Sequence, residues 1–433
     1  MMKVCLITNF FSPHQMPFAR SLANRLGEAA FRYIVTERVN DERKNLGWKQ
    51  ESHPVWLMEP YSNVEASKEA TRWTEEADVI ICGNRDLNCF EQRIESKQLT
   101  FYMSERWFKP PIGMLRLLSP AYFRMALRFC RLLCSPSFFY LPIGIHAAND
   151  MLRLGKLFAT FSQYVSRHLP LATHQLQSKM LLWGYFVEPS SMLRKNDNDE
   201  LSGKDELLNI LWVGRLLNWK RVDTLIKAVA VLLDEGRNIR LTLIGHGSEE
   251  PGLRKLAETL FNRRLPVGKG KTNELMNSCK NEPPPILFHP SVPIAQVREF
   301  MHQSDVYVLP SDGGEGWGAV LNEAMEEGCA VIATRECGSG ETMIKDGENG
   351  LLFNAGDVNG LVRCLTRLQD DPELRSKVSA SGRKTVVQLW NPEIAAERLL
   401  SVCDALLYGR KVPSFTDGPM MSIPYKIGSK HQA

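Results

Sequence analysis

Residues 305–342 read DVYVLPSDGGEGWGAVLNEAMEEGCAVIATRECGSGET, and this stretch decides the fold. Asp305–Leu309 is a short apolar run, as expected of a strand buried on both faces. A loop carrying Gly313, Gly314, Gly316 and Gly318 follows, and the apolar spacing over Ala319–Glu327 predicts a helix. A second apolar run, Ala330–Ala333, restarts the cycle and leads into another glycine turn, Glu336–Thr342. Strand, glycine loop, helix and strand in succession make a parallel sheet with helical crossovers.

The same alternation extends outward. Strands are predicted at Asn209–Val213, Arg240–Ile244 and Ile286–His289, and helices at Val222–Leu233, Leu253–Phe261 and Ile294–His302. In the first half, Val4–Thr8, Asp78–Cys82, Leu99–Met103 and Leu157–Phe161 read as strands, and Phe18–Leu26 as a helix. Between the halves lies PSSMLRKNDNDELSGKDE, residues 189–206, with the composition of a linker. The expected organisation is an α/β protein with two doubly wound, Rossmann-like domains, 1–188 and 207–390. Ligands of such sheets bind beyond the carboxyl ends of the strands, so two domains would face one cleft.

Composition sets outer bounds. A chain of 433 residues with 44% hydrophobic and 24% charged residues is an ordinary globular protein of two or three domains, not a disordered or fibrous one. The net charge of +4 is too small to signal a nucleic-acid partner. The basic excess sits in the first half, where residues 106–156 hold eight Lys or Arg against Asp150 alone. Ten cysteines without a Cys-x-x-Cys pair point to buried free thiols in a reducing cytoplasm, and no metal site is expected. No signal peptide or membrane span is legible: the longest uncharged stretch, Leu132–Asn149, is broken by Pro136, Pro142 and Gly144.

Three segments carry the chemistry. In Leu211–Arg221, a strand ends, Gly214 turns, and Arg215 and Lys220 approach a helix start. Two cations beside free backbone N–H groups suit a diphosphate, and read alone they equally suit a pair of surface cations. In the 310–325 segment, Glu315 sits in the glycine loop and Glu323 in the helix, with seven residues between them. A carboxylate accepts from paired sugar hydroxyls, and Glu323 on an apolar helix needs a partner. Gly338, in the turn after Ala333, fits a second anion-binding turn or a plain one. No Gly-x-Gly-x-x-Gly fingerprint is present, which argues against a nicotinamide cofactor.

These residues resemble the family 4 (GT4-type) retaining glycosyltransferases, which have the GT-B fold and include bacterial surface-polysaccharide enzymes. Gly214, Arg215, Leu216 and Lys220 match the family's Gly-Arg-Leu turn with its downstream Lys, and Glu315 and Glu323 match its Glu-x7-Glu motif. Lys345–Leu352 and Pro290 also look like the family. The resemblance spans about 205–400. It implies that Arg215 and Lys220 hold the donor diphosphate and that Glu323 takes the ribose hydroxyls. Glu315 and the backbone of Gly316, Trp317 and Gly318 would bind the donor sugar, with Pro290 near the base. Glu315, Arg215 and Lys220 are the catalytic expectations. Trp317 stands where Phe is common, and Arg221 where Gly is common. The helix from Pro392, within 391–412, resembles the closing helix that returns to the first domain, and 413–433 reads as an irregular tail.

The first half matches less closely. The loop Asn9–Pro17 has no glycine, and its His14 reads either as facing the cleft or as packing. Ser104, Glu105 and Arg106 follow a middle strand and are candidates for the sugar or acceptor pocket. Arg124, Arg128 and Arg131 share one face of a predicted helix, Ala121–Cys134, that fits an anionic membrane or a packed helix with exposed arginines. The resemblance favours the membrane. It implies a cofactor-free, metal-independent transfer from a nucleotide-diphosphate sugar to a lipid-linked or glycan acceptor, in the cytoplasm or at the inner membrane face. A sugar-nucleotide epimerase and a non-catalytic sugar-nucleotide-binding protein are the alternatives.

Overall fold

The structure is a computed structural model that describes residues 2–40, 53–83, 90–165, 173–190, 207–262 and 284–423. The chain forms two units: Met1–Glu188 with Gln388–Ala433, and Pro189–Val387. Most of the expected linker, 191–206, lies outside the described residues.

The first unit holds β1 (Val4–Thr8), β2 (Phe31–Val35), β3 (Leu57–Met58), β4 (Val79–Gly83), β5 (Leu99–Ser104) and β6 (Phe138–Pro142). They pair in parallel in the order β3-β2-β1-β4-β5-β6. Every residue of β1 and β4 is buried, as the apolar runs require of central parallel strands. The second unit holds β7 (Leu208–Val213), β8 (Ile239–Ile244), β9 (Ile286–His289), β10 (Val306–Leu309), β11 (Ala330–Thr334) and β12 (Leu351–Phe353). Their order is β12-β11-β10-β7-β8-β9, again parallel. Numbered within its own unit, each sheet runs 3-2-1-4-5-6, the doubly wound order with its switch point between the first and fourth strands. One core of the second unit joins Ile210 and Trp212 of β7 to Leu225 and Val229 of the helix Val222–Asp234 and to Leu361 and Leu365 of the helix Val358–Asp370.

One predicted strand is wrong. Leu157–Phe161 lies inside the helix Ile145–Val165. Met151, Leu154 and Phe158 are buried while Arg153 and Lys156 are exposed, a helical period that the five-residue window hid. The closing helix runs Pro392–Leu407, capped by the Asn391 side chain on the Ile394 N–H. It packs within the first unit, where Glu393 accepts from Ser21 Oγ at 2.6 Å. Residues 413–423 are irregular yet anchored. Leu182 and the Met420–Met421 segment exchange backbone hydrogen bonds of 2.7 and 2.9 Å, and Arg398 donates to the Pro419 carbonyl.

Candidate active site

The second unit's switch point brings together the loops after β7 and β10. Beyond β7, pairing with the β8 side continues: Gly214 N–H donates to Ile244 O, and Leu216 N–H to His246 O. The two loops approach so closely that a Cβ on Gly245 would stand 1.8 Å from the Gly214 carbonyl oxygen. Gly245 also has φ +140°, so the position admits no other residue without distortion. Gly245-His246-Gly247 therefore serves to seat the β7 loop.

That loop carries Arg215, exposed, and then the short 3₁₀ turn Asn218–Lys220. Lys220 Nζ pairs with Glu315 Oε2, and the Ser311 hydroxyl donates to the same oxygen at 3.2 Å. Both charged side chains are about 15% exposed, at 15% and 14%. The pair joins residues 95 apart in sequence. Arg221 caps the following helix with φ +49°, ψ +37°, a left-handed conformation that explains why glycine suits this place. Its guanidinium holds both Asp223 carboxylate oxygens, at 3.0 and 3.4 Å.

The β10 loop is shaped from within. Asp312 Oδ1 accepts from Gly314 N–H, and Asp312 O accepts from Glu315 N–H. Gly318 takes φ +90°. The Trp317 ring is fully buried, its indole N–H donating to Asn322 Oδ1 at 3.0 Å, so this residue offers the site only its backbone. Gly338 is also buried, packed so closely that a Cβ would stand 2.0 Å from Gly316 O. Beneath the loops, Tyr307 of β10 is fully buried and donates to Val213 O at 3.5 Å. Burial, then the charges of Glu315 and Glu323, raise its pKa well above the ordinary tyrosine value. Burial and the Glu315 charge push the Cys337 thiol up to about 12, which keeps it protonated.

Glu323 is nearly buried on the helix Val320–Glu326. With Glu326 and Glu327 it places three carboxylates within five residues, and Arg298 answers them from the helix Ile294–Gln303. Arg298 Nη1 donates to Glu326 at 3.1 Å and to Glu327 at 2.9 Å. Burial works against this guanidinium, but Glu326, Glu323 and Glu327 outweigh it and raise its pKa. Burial raises the Glu326 carboxyl, with Arg298 opposing. Pro290, after β9, is exposed beside Ser291, whose Oγ is 2.6 Å from His246 Nδ1.

The first-unit candidates have internal partners. His14 lies in the β1 loop with its ring 6.3 Å from that of Tyr185. Ser104 Oγ is 3.0 Å from the Tyr140 hydroxyl and accepts from Trp107 Nε1 at 2.9 Å. Glu105 pairs with Lys109 at 2.6 Å, and Arg106 with the buried Asp150 at 3.2 Å. Of the basic helix, Pro120–Leu133, Arg124 and Arg131 are exposed, while Arg128 pairs with Glu91 at 2.5 Å. Among the described residues no group of three His, Cys, Asp or Glu could hold a metal ion, and no helix is long and apolar enough to cross a membrane.

Sequence reasoning missed Ser311, Tyr307 and Arg298. The Ser-Asp pair before the glycines was a legible loop-shaping signal. The three carboxylates on one short apolar helix were a legible demand for a cation.

Residues 194–385 match the family described as Glycosyl transferases group 1. The lipopolysaccharide core biosynthesis glycosyltransferase LpsE of Rhizobium meliloti is 28% identical over 193 residues, 45% of this chain and 48% of that protein. The capsular polysaccharide biosynthesis glycosyltransferase CapM of Staphylococcus aureus is 28% identical over 216 residues, 49% of this chain and 51% of that protein. The chain thus spans about half the length of the curated relatives it matches. Anabaena HepE, solved in complex with UDP and glucose, matches with a TM-score of 0.59 over 94% of this chain and 100% of that one. Its 14% identity makes this a likeness of fold. Residues 194–385 thus resemble the glycosyl transferases group 1 family, and the chain has the GT-B fold.

Proposed function

We propose that this protein is a retaining glycosyltransferase that moves a sugar from a nucleotide-diphosphate donor to an acceptor hydroxyl in bacterial surface-polysaccharide assembly. The observation that carries this reading is the Lys220–Glu315 pair at the switch point, beside exposed Arg215 and a loop of close-packed glycines. A diphosphate brought to Arg215 and Lys220 competes with Glu315 for the lysine, and frees the carboxylate to accept from donor-sugar hydroxyls. The bond from the anomeric carbon to the diphosphate breaks, and the two cations stabilise the charge that the leaving group gains. The acceptor oxygen bonds to the same face of that carbon and passes its proton to the diphosphate oxygen that departs from it, so a nucleoside diphosphate is released. Glu323 accepts from the ribose hydroxyls, held in place by the helix that Arg298 braces. The cations supply the charge that a metal would otherwise provide, so the reading asks for none.

The acceptor is lipid-linked or a glycan, in keeping with the parts that LpsE and CapM take in lipopolysaccharide core and capsular polysaccharide biosynthesis. Peripheral membrane binding at the cytoplasmic face fits one surface of the first unit. There Leu118, Leu115 and Ile112 are 81%, 66% and 52% exposed, on and beside the 3₁₀ helix Gly113–Leu118, which precedes the helix bearing Arg124 and Arg131. Apolar side chains with flanking cations suit an anionic bilayer surface.

Calorimetry with UDP, GDP, ADP and NAD tests the reading, using the wild type and Glu323→Ala. Binding of one nucleoside diphosphate, weakened in the variant, is expected. Binding of NAD alone, or of nothing, overturns the reading.

A further inference from the structure

We propose that Trp219 is a stacking platform for a pyranose ring at the sugar end of this site, an inference that rests on the donor-site reading above. Of the chain's nine tryptophans, eight are described, and seven of these are 8% exposed or less. Trp219 is 39% exposed. An indole that keeps this much of its surface in water forgoes part of the stabilisation that full burial would bring and leaves that surface open to a ligand.

That place is narrow. Trp219 is the middle residue of the turn Asn218–Lys220, next to the lysine that holds Glu315. Its carbonyl accepts from Asp312 N–H at 2.8 Å, which ties this turn to the glycine loop. Its side-chain stem lies on Gly314: a Cβ added there would stand 2.9 Å from Trp219 Cβ and 3.1 Å from Cγ. The absence of a side chain at 314 therefore lets the indole lie along the loop that carries Glu315.

Sheet order assigns the occupant. From β7 the strands run to β10 on one side and through β8 to β9 on the other. Trp219 leans on the β10 loop, while Pro290 follows β9, two strand spacings or about 10 Å from β7. A donor whose base lies towards Pro290 and whose diphosphate lies at Arg215 and Lys220 brings its sugar to the Glu315 side. A pyranose has an apolar face of C–H bonds, and the electron-rich indole face attracts their positive hydrogens. Glu315 alongside accepts from the ring's hydroxyls. The donor hexose and the first sugar of a glycan acceptor share this chemistry.

The test compares wild type, Trp219→Ala and Trp219→Phe in three measurements: Kd for the nucleoside diphosphate alone, Kd for its hexose conjugate, and KM for the acceptor. Trp219→Ala is expected to leave the first within about twofold and to weaken one of the other two by roughly tenfold, with Trp219→Phe restoring most of it. Weakening of the conjugate assigns the donor hexose, and weakening of the acceptor alone assigns the acceptor sugar. Equal weakening of nucleoside diphosphate and conjugate overturns the proposal, because the ring would then serve the phosphate loop. Three unchanged constants also overturn it. A wild type that binds no nucleoside diphosphate fails the donor-site reading, and this proposal falls with it.

Discussion

The two sheets share one strand order, yet their switch points are furnished differently. After β7 the chain turns through Gly214 onto the backbone of Gly245, and a lysine meets a glutamate from the β10 loop. After β1 the chain runs Asn9-Phe10-Phe11-Ser12-Pro13-His14, without glycine, and the helix Met16–Leu26 begins at once with proline in its first turn. The glycines of the second unit let bare backbone crowd together and leave charged tips at the surface of the loop. The first unit fills the same place with side chains: Phe11 is buried, and His14 lies near Tyr185. Identical topology thus supplies a location, and local residue choice decides what that location presents.

The largest effect expected on stability separates the switch point from its support. Arg298→Ala strands the Glu326 and Glu327 carboxylates beside Glu323 without their guanidinium, at a cost of about 3–5 kcal/mol to the second unit. Calorimetric unfolding should show that loss, and an unchanged transition would mean that water, not Arg298, satisfies these carboxylates. Next comes the contrast in catalysis. Lys220→Ala should lower turnover by about 100- to 1000-fold while the fold persists. His14→Ala should lower it far less, and equal losses would erase the distinction between the two switch points. The smallest effect concerns the first unit's surface. Leu115→Asp with Leu118→Asp should weaken binding to anionic vesicles by roughly tenfold, leaving nucleotide affinity unaltered. Vesicle binding that survives the double change would move the membrane surface elsewhere.

The second unit was legible because its strands are short apolar runs fenced by glycine loops, and all five read from sequence lie within about a residue of their observed bounds. The first unit was less so. Leu157–Phe161 is as apolar as a strand, and only its neighbours Met151 and Leu154 reveal the helical period. β6, Phe138–Pro142, went unread inside a long uncharged stretch whose prolines and glycine suggested no regular element. Glu315 and Lys220 were each identifiable from a local motif. Their pairing was not, because it depends on β10 lying beside β7, a contact that sequence spacing does not encode. Arg298 was invisible for the same reason: it stands on a separate helix from the carboxylates that it answers.

The division of the chain has a consequence for its biogenesis. The first unit comprises Met1–Glu188 and Gln388–Ala433, and the helix Pro392–Leu407 packs against its opening helix. During synthesis the second unit, being continuous, has all its residues in hand while the first still lacks its closing helix and the 419–422 segment. The half that leaves the ribosome first is therefore completed last, with the apolar face meant for Ala395 and Leu399 uncovered in the meantime. A ribosome stalled anywhere in the second unit holds a first unit that cannot close.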